Sequence, residues 1–382
     1  MSLAMETYQN LYRDNHWRAP LPANTDAQLV LLFGDRELAL SADINAALAA
    51  SFPNAQIVGC STSGEILGTE LHDQSLCLTA VRFNHTPVKA ARADIRNRPL
   101  QAAVDELANA LGAPDLKYLL VLSDDQRVNG TELVNGLTAA LPKGVVITGG
   151  LAGDDTRFER TATWHNGRGG EGNIVACGFY GNCIEVGHGS MGGWDPFGPE
   201  RLITRARSNV LYSLDDQPAL ALYKRYLGEH ASALPASALL FPLLIKREGE
   251  EQAVIRTILG VNEQDESMTF AGDMPQGAKA QLMRANFDRL IDGAETAASA
   301  ALSGQADANG CGLALLISCV GRRLVLNQRI EEELEAVEDV LGNGWQFTGF
   351  YSYGEISPMA GGNHCALHNQ TMTITTLQER DA

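Results

Sequence analysis

Gly59-Cys-Ser-Thr-Ser-Gly-Glu-Ile66 and Gly349-Phe-Tyr-Ser-Tyr-Gly-Glu-Ile356 are two versions of one pattern. Four of the eight positions are identical, and Thr62 against Ser352 is conservative. Each follows an apolar lead-in, Ile57 and Val58 in the first and Phe347 in the second. A short apolar run ending in hydroxyl residues and glycine reads as a strand whose tip leaves N–H groups and hydroxyls open. Pockets for small polar ligands are built that way. Cys60, Ser61, Thr62, Ser63, Gly64, Glu65, Tyr351, Tyr353 and Glu355 are therefore ligand-binding candidates, with the glutamates fixing a cationic group or pinning the turn. The plainer alternative is that the glycines make tight turns and each Glu caps a neighbour. Two copies in one chain put the readings level. A second echo, Ala152-Gly-Asp154 against Ala271-Gly-Asp273, falls in permuted order, so duplication is suggested and no more.

Outward from the first motif, short apolar runs recur at Leu29–Gly34, Ser75–Phe83, Leu116–Leu122, Val145–Thr148, Asn173–Tyr180 and Ile184–His188. They are too short for buried helices and most end at Gly or Asp, so they read as strands. Asp35–Ser51, Pro99–Leu111 and Thr131–Leu141 carry helical patterns between them. Around the second motif, strands are expected over Ala238–Ile245, Ala253–Val261, Leu313–Cys319, Gln346–Tyr353 and Thr371–Thr376, and helices over Ala278–Ala301 and Arg329–Leu341. Strands follow one another without a helix across Asp154–Gly193, which argues mixed sheets. The expected fold is α/β: two tandem related domains with mixed sheets flanked by helices, as αββα layers. The divisions are an N-terminal arm over 1–28 (its first four residues dispensable), domains over 29–200 and 234–382, and a linker with a helix over 201–233.

The chain has 382 residues, with Lys+Arg 29 against Asp+Glu 46, a formal charge of -17. That surface repels nucleic acid and anionic lipid. No apolar run approaches the ~20 residues that span a bilayer, and no secretory signal opens the chain. Seven scattered cysteines without a CxxC argue against a disulfide framework and for reduced thiols in the cytoplasm.

Other stretches carry weaker chemistry. Thr148-Gly-Gly-Leu-Ala-Gly-Asp-Asp155 lacks the Lys of a P-loop, so Gly149, Gly150 and Asp154 read as a turn lining a pocket. Gly187-His-Gly-Ser-Met-Gly-Gly193 fails the G-x-S-x-G pattern, which removes a serine nucleophile there. His188, ringed by glycines that leave room for a flat ligand, could hold haem iron; His364 and His368 are the reserve. The bland reading of each is a hydrogen-bonded histidine. Arg256 alternates with apolar neighbours, and a buried Arg demands an anion, either a ligand or Glu65 or Glu355. Cys319 and Arg322 end a strand; Cys60 or Cys319 as a nucleophile is the enzymatic alternative, though no His or Asp lies close in sequence.

In combination and in order, the two G-E-I motifs, Gly149–Asp155, Phe241-Pro-Leu-Leu244, Ile255-Arg256, Phe270-Ala-Gly-Asp273, Gly277, Cys319-Val-Gly-Arg322 and His368-Asn-Gln-Thr371 resemble the FIST family, with its N-terminal and C-terminal domains. The resemblance runs from about Leu29 to about Thr376. It implies a cytoplasmic signal-transduction sensor that performs no catalysis and binds a small molecule or gas, amino acids being among the proposed ligands. The partner it implies is a histidine kinase or a cyclic-di-GMP enzyme, acted on in trans. The length is similar to that of the stand-alone NosP-type haem proteins that sense nitric oxide, which would make haem a cofactor and His188 its ligand. The shared expectation is a cavity between the tips of two matched halves.

Overall fold

The computed structural model describes residues 5–124, 128–234, 236–249, 253–303, 305, 310–359 and 364–381. Its architecture follows from one unit used three times. In each unit two parallel strands pair: Leu29–Gly34 with Gln56–Ser61, Leu116–Ser123 with Val146–Leu151, and Gly312–Cys319 with Trp345–Ser352. A helix joins each pair: Ala42–Ser51, Gly130–Ala140 and Ile330–Leu341. An antiparallel strand then lies against the first parallel one: Leu76–Phe83, Asn173–Tyr180 and Met372–Glu379. A further strand completes each unit: Met5–Arg13, Val88–Asp94 and Ile184–Met191.

Between its second parallel strand and its antiparallel strand each unit sends out a hairpin that joins another unit's sheet. Glu65–Leu67 pairs with Trp345–Ser352 of the third unit. Thr163–His165 pairs with Gln56–Ser61 of the first. Gly354–Pro358 pairs with Val146–Leu151 of the second. The three sheets therefore have the same strand order, each with one borrowed hairpin.

Register confirms the equivalence. Gly59, Gly149 and Gly349 sit opposite Leu32, Val121 and Leu316. A Cβ on any of the three would overlap the carbonyl oxygen of that partner, so only glycine allows the strands to close.

The inner faces of the sheets bury one shared core that includes Phe33 and Cys60, Tyr118 and Cys177, and Ile317, Phe350 and Leu377. The outer faces pack on helices in three separate clusters. Mixed sheets with helices outside agree with the sequence reading. The layers differ from two αββα sandwiches because exchanged hairpins draw three sheets around one interior.

Residues 195–284 form an inserted module between Ile184–Met191 and helix Phe287–Leu302. Its strand order starts at Val254–Arg256 and ends at Ile258–Asn262, one residue apart in the chain, so the sheet must curl closed. Helix Ala219–Leu227 fills it with Leu220, Tyr223 and Leu227. Residues 201–233, read as a linker, supply three of its strands and this helix. The arm also differs: Met5–Arg13 is a sheet strand with Met5 and Leu11 buried, while residues 1–4 lie outside the described residues. Ala278–Ala301 is strand Lys279–Arg284 followed by helix Phe287–Leu302, because Asn286 caps the Arg289 N–H and starts the helix late.

Candidate functional site

The crossing points of the three units meet through backbone bonds. Ser63 N–H donates to Tyr351 O at 2.8 Å, Gly153 N–H to Ser61 O at 2.9 Å, and Tyr353 N–H to Leu151 O at 3.2 Å. The two motifs singled out in the sequence are thus brought together, and their side chains are engaged there. Glu65 accepts from Thr62 at 2.6 Å and Ser75 at 2.7 Å. Glu355 accepts from Ser352 at 2.7 Å and from the Thr371 hydroxyl at 2.9 Å. Burial pushes both carboxyls up to about 8, with the hydroxyl bonds opposing it.

The Tyr353 hydroxyl bonds Asp154, and its ring stacks on Phe158 at 4.3 Å. Ser63 donates to Asp155 O at 2.7 Å. A cleft of about 60 Å³ opens beside Ser61, Thr62, Glu65 and Asp154, and one of about 410 Å³ adjoins it at Asp73, Gln74, Asp155, Val320 and Arg323. The hydroxyls and carboxyls of the two motifs are largely taken up by one another. Gly64 and Gly150 are also in contact, against Arg323 and Ile317.

Other candidates are equally committed. Arg322 is fully buried and paired with Glu333 at 2.7 Å, and it donates to Gly192 and Leu290 carbonyls. Tyr351 donates to the same Glu333 at 2.7 Å. Cys60 and Cys319 are buried, and burial drives both thiols well above their usual range, the reverse of an activated nucleophile.

The haem expectation meets the geometry at each histidine. The glycines flanking His188 leave no gap. The spaces beside Gly187 and Gly189 are taken by the carbonyls of Ala301 and Ala297, so helix Phe287–Leu302 lies directly on that strand. His368 Nε2 is held by the Ser357 carbonyl at 3.1 Å, and burial lowers its pKa to about 4. His368 is thereby committed to a backbone carbonyl, while His188 lies on the strand face opposite that helix. His364 is exposed and lines a cleft.

That cleft, about 530 Å³, lies between the module and the body of three sheets around the shared core, here called the barrel. Ile245, Arg247, Val254, Arg256, Asp273 and Pro275 form the module side, and Thr131, Asn135, Met359, His364, Ala366 and Leu367 the barrel side. Arg256 reaches across it and donates from Nη1 to Leu367 O at 3.0 Å. It is 5% exposed, and its Nε has no partner among the described residues. Burial lowers its pKa to about 10, so it stays cationic at neutral pH. Asp273, whose charge acts on it, accepts from Asn129 Nδ2 at 3.0 Å instead. Glu65 and Glu355, the acids considered for Arg256, have the other partners given above. Sequence reasoning reached Arg256 through its alternation. It missed Asp273, Thr131 and Asn135 as wall residues; the Gly272-Asp273 step beside Arg256 was the available signal.

No helix among the described residues is long and apolar enough to cross a membrane. Residues 28–217 match the FIST N domain and residues 219–358 the FIST C domain. An uncharacterized protein of Mycobacterium tuberculosis is 24% identical over 376 residues, covering 94% of this chain and 93% of its own length. An uncharacterized protein of Mycobacterium bovis is 25% identical over 269 residues, covering 67% of this chain and 63% of its own. A cyanuric acid hydrolase from A. caulinodans aligns over 99% of both chains at 10% identity, with a TM-score of 0.33, too low to bear on fold or activity. With both domains matched in tandem along nearly its whole length, the chain belongs to the FIST family, whose domains are signal-transduction sensors for small ligands.

Proposed function

We propose that this protein is a cytoplasmic ligand sensor that acts in trans on a histidine kinase or a cyclic-di-GMP enzyme, with the cleft at Arg256 as its receptor site. One observation carries this reading: polar bonds run directly from one wall of the cleft to the other. Among the described residues they include Arg256 to Leu367 O, Gln370 to Thr257 Oγ1 at 2.9 Å, and Asn129 to Asp273. A ligand seated between module and barrel changes those bonds, and with them the population of module positions offered to a partner. Buried, protonated thiols at Cys60 and Cys319 favour a receptor over a catalyst.

The test is the activity of a purified kinase or cyclic-di-GMP enzyme from the neighbouring coding region, with and without this protein. A change in rate that is lost when the cleft is filled by Ala366→Trp supports the proposal. An unchanged rate for both enzyme classes removes the partner.

A haem-bearing nitric oxide sensor is the second reading, favoured by the imidazole of His364 on the cleft. Bound haem would supply the gas-binding iron, and His364 would hold it. A Soret band on haem titration that disappears in His364→Ala supports it, and no band removes it. The haem-free receptor for an amino-acid-like molecule is the form that Arg256, cationic on the cleft wall, supports better.

A further inference from the structure

Resting on the receptor reading, we infer that the cleft binds a small organic anion, a carboxylate on an apolar body, with Arg256 as its anchor. A guanidinium carries five N–H donors and prefers a planar oxyanion partner. Arg256 is nearly enclosed, yet among the described residues its Nη1 donates to the carbonyls of Leu367 and Ile255 alone. Its Nε–H is buried with no acceptor among the described residues, the kind of orphan donor that native interiors rarely keep. Asp273 offsets part of the cost of burying this cation, but the hydrogen bonds go to neutral carbonyls, and an anion arriving through the cleft relieves the rest.

The walls narrow the ligand class. Ile245, Val254, Pro275, Met359 and Leu367 present an apolar surface that inorganic oxyanions cannot use. The volume falls within the ~300–1,000 Å³ of ordinary small-molecule pockets. Gly272 completes the cradle, since a Cβ there would sit 2.7 Å from Arg256 Nε and push the guanidinium aside.

The experiment is thermal shift and calorimetry with sodium acetate, butyrate and hexanoate, against sodium chloride at equal ionic strength. Phosphate, sulfate, hexylamine and hexanamide run in parallel. The expected result is saturable stabilisation by carboxylates that strengthens from acetate to hexanoate. It weakens at least tenfold in Arg256→Gln. It is abolished in Asn135→Trp, which fills the cleft from an exposed helix position and leaves Arg256 in place, so the test stands even if Arg256→Gln does not fold.

Carboxylates no better than chloride, or binding unaffected by Asn135→Trp, overturn the inference. Phosphate or sulfate matching hexanoate overturns it too, since the apolar walls would then contribute nothing. Hexylamine or hexanamide binding in place of hexanoate, and lost in Asn135→Trp, overturns the anion class while the receptor reading survives. Silence from every compound removes both.

Discussion

Glu65 lies directly opposite Phe350 across an antiparallel pairing, so the acid of the first motif is held by the strand that opens the second. Glu355 stands opposite Gly150, and Thr163 opposite Cys60, in the same geometry. The two motifs resemble each other because they occupy the same structural position, and that position is a crossing between sheets.

The two buried glutamates should make stability fall as pH rises. Both carboxyls have folded values near 8 against ordinary values near 4.5. Between those limits the unfolded chain loses protons that the folded chain keeps. The stabilisation is complete below pH ~4.5 and is lost as pH climbs towards 8, at about 1.4 kcal/mol per unit for each group. Glu65→Gln and Glu355→Gln should flatten that decline in urea titrations between pH 5 and 8. A decline as steep as that of the unaltered protein would show the carboxyls ionise normally.

Arg322→Met should be severe. It leaves Glu333 buried without its cation and removes the donors to Gly192 and Leu290. Breaking one partner of such a pair costs about 3–5 kcal/mol. Equilibrium unfolding should register it, and replacing Arg322 and Glu333 together by apolar residues should recover part of the loss.

Gly59→Ala, Gly149→Ala and Gly349→Ala should fail alike. Each drives a methyl group into a carbonyl of the facing strand. A loss above about 4 kcal/mol, or no soluble protein, is expected for all three. A tolerated substitution at Gly149 alone would break the equivalence of the second unit.

Tyr353→Phe should loosen residues 154–162. The hydroxyl bonds Asp154, and that carboxylate in turn accepts from the Phe158, Glu159 and Arg160 N–H groups. The expected cost is about 1–3 kcal/mol. Faster tryptic cleavage after Arg157 or Arg160, both on this segment, is the more direct readout.

Sequence patterns revealed the strands best where glycine and hydroxyl spacing survived, at Gly59 and Gly349. The third member was hidden because Ala152 replaces Thr62 and Ser352, Thr163 replaces the glutamates, and the second unit carries a longer crossing between Gly153 and Thr163. Gly149 therefore looked like a separate turn. The glycines around His188 were misleading for a different reason, since space for a helix backbone and space for a ligand give the same local signal. Arg256 was legible from alternation alone. Its cleft was not, because Thr131, Asp273 and Leu367 come from three distant segments.

The exchanged hairpins have a consequence for anyone dividing this chain. The boundary between the two family matches falls at residue 218, inside the inserted module. An N-terminal fragment ending there would lack Gly354–Pro358 from the sheet of its second unit, and its own Glu65–Leu67 would have nothing to dock on. The C-terminal fragment would lose Ile184–Met191, the neighbour of Met372–Glu379. The ring is a three-way clasp, and expressing the halves separately should yield insoluble pieces that regain solubility only when made together.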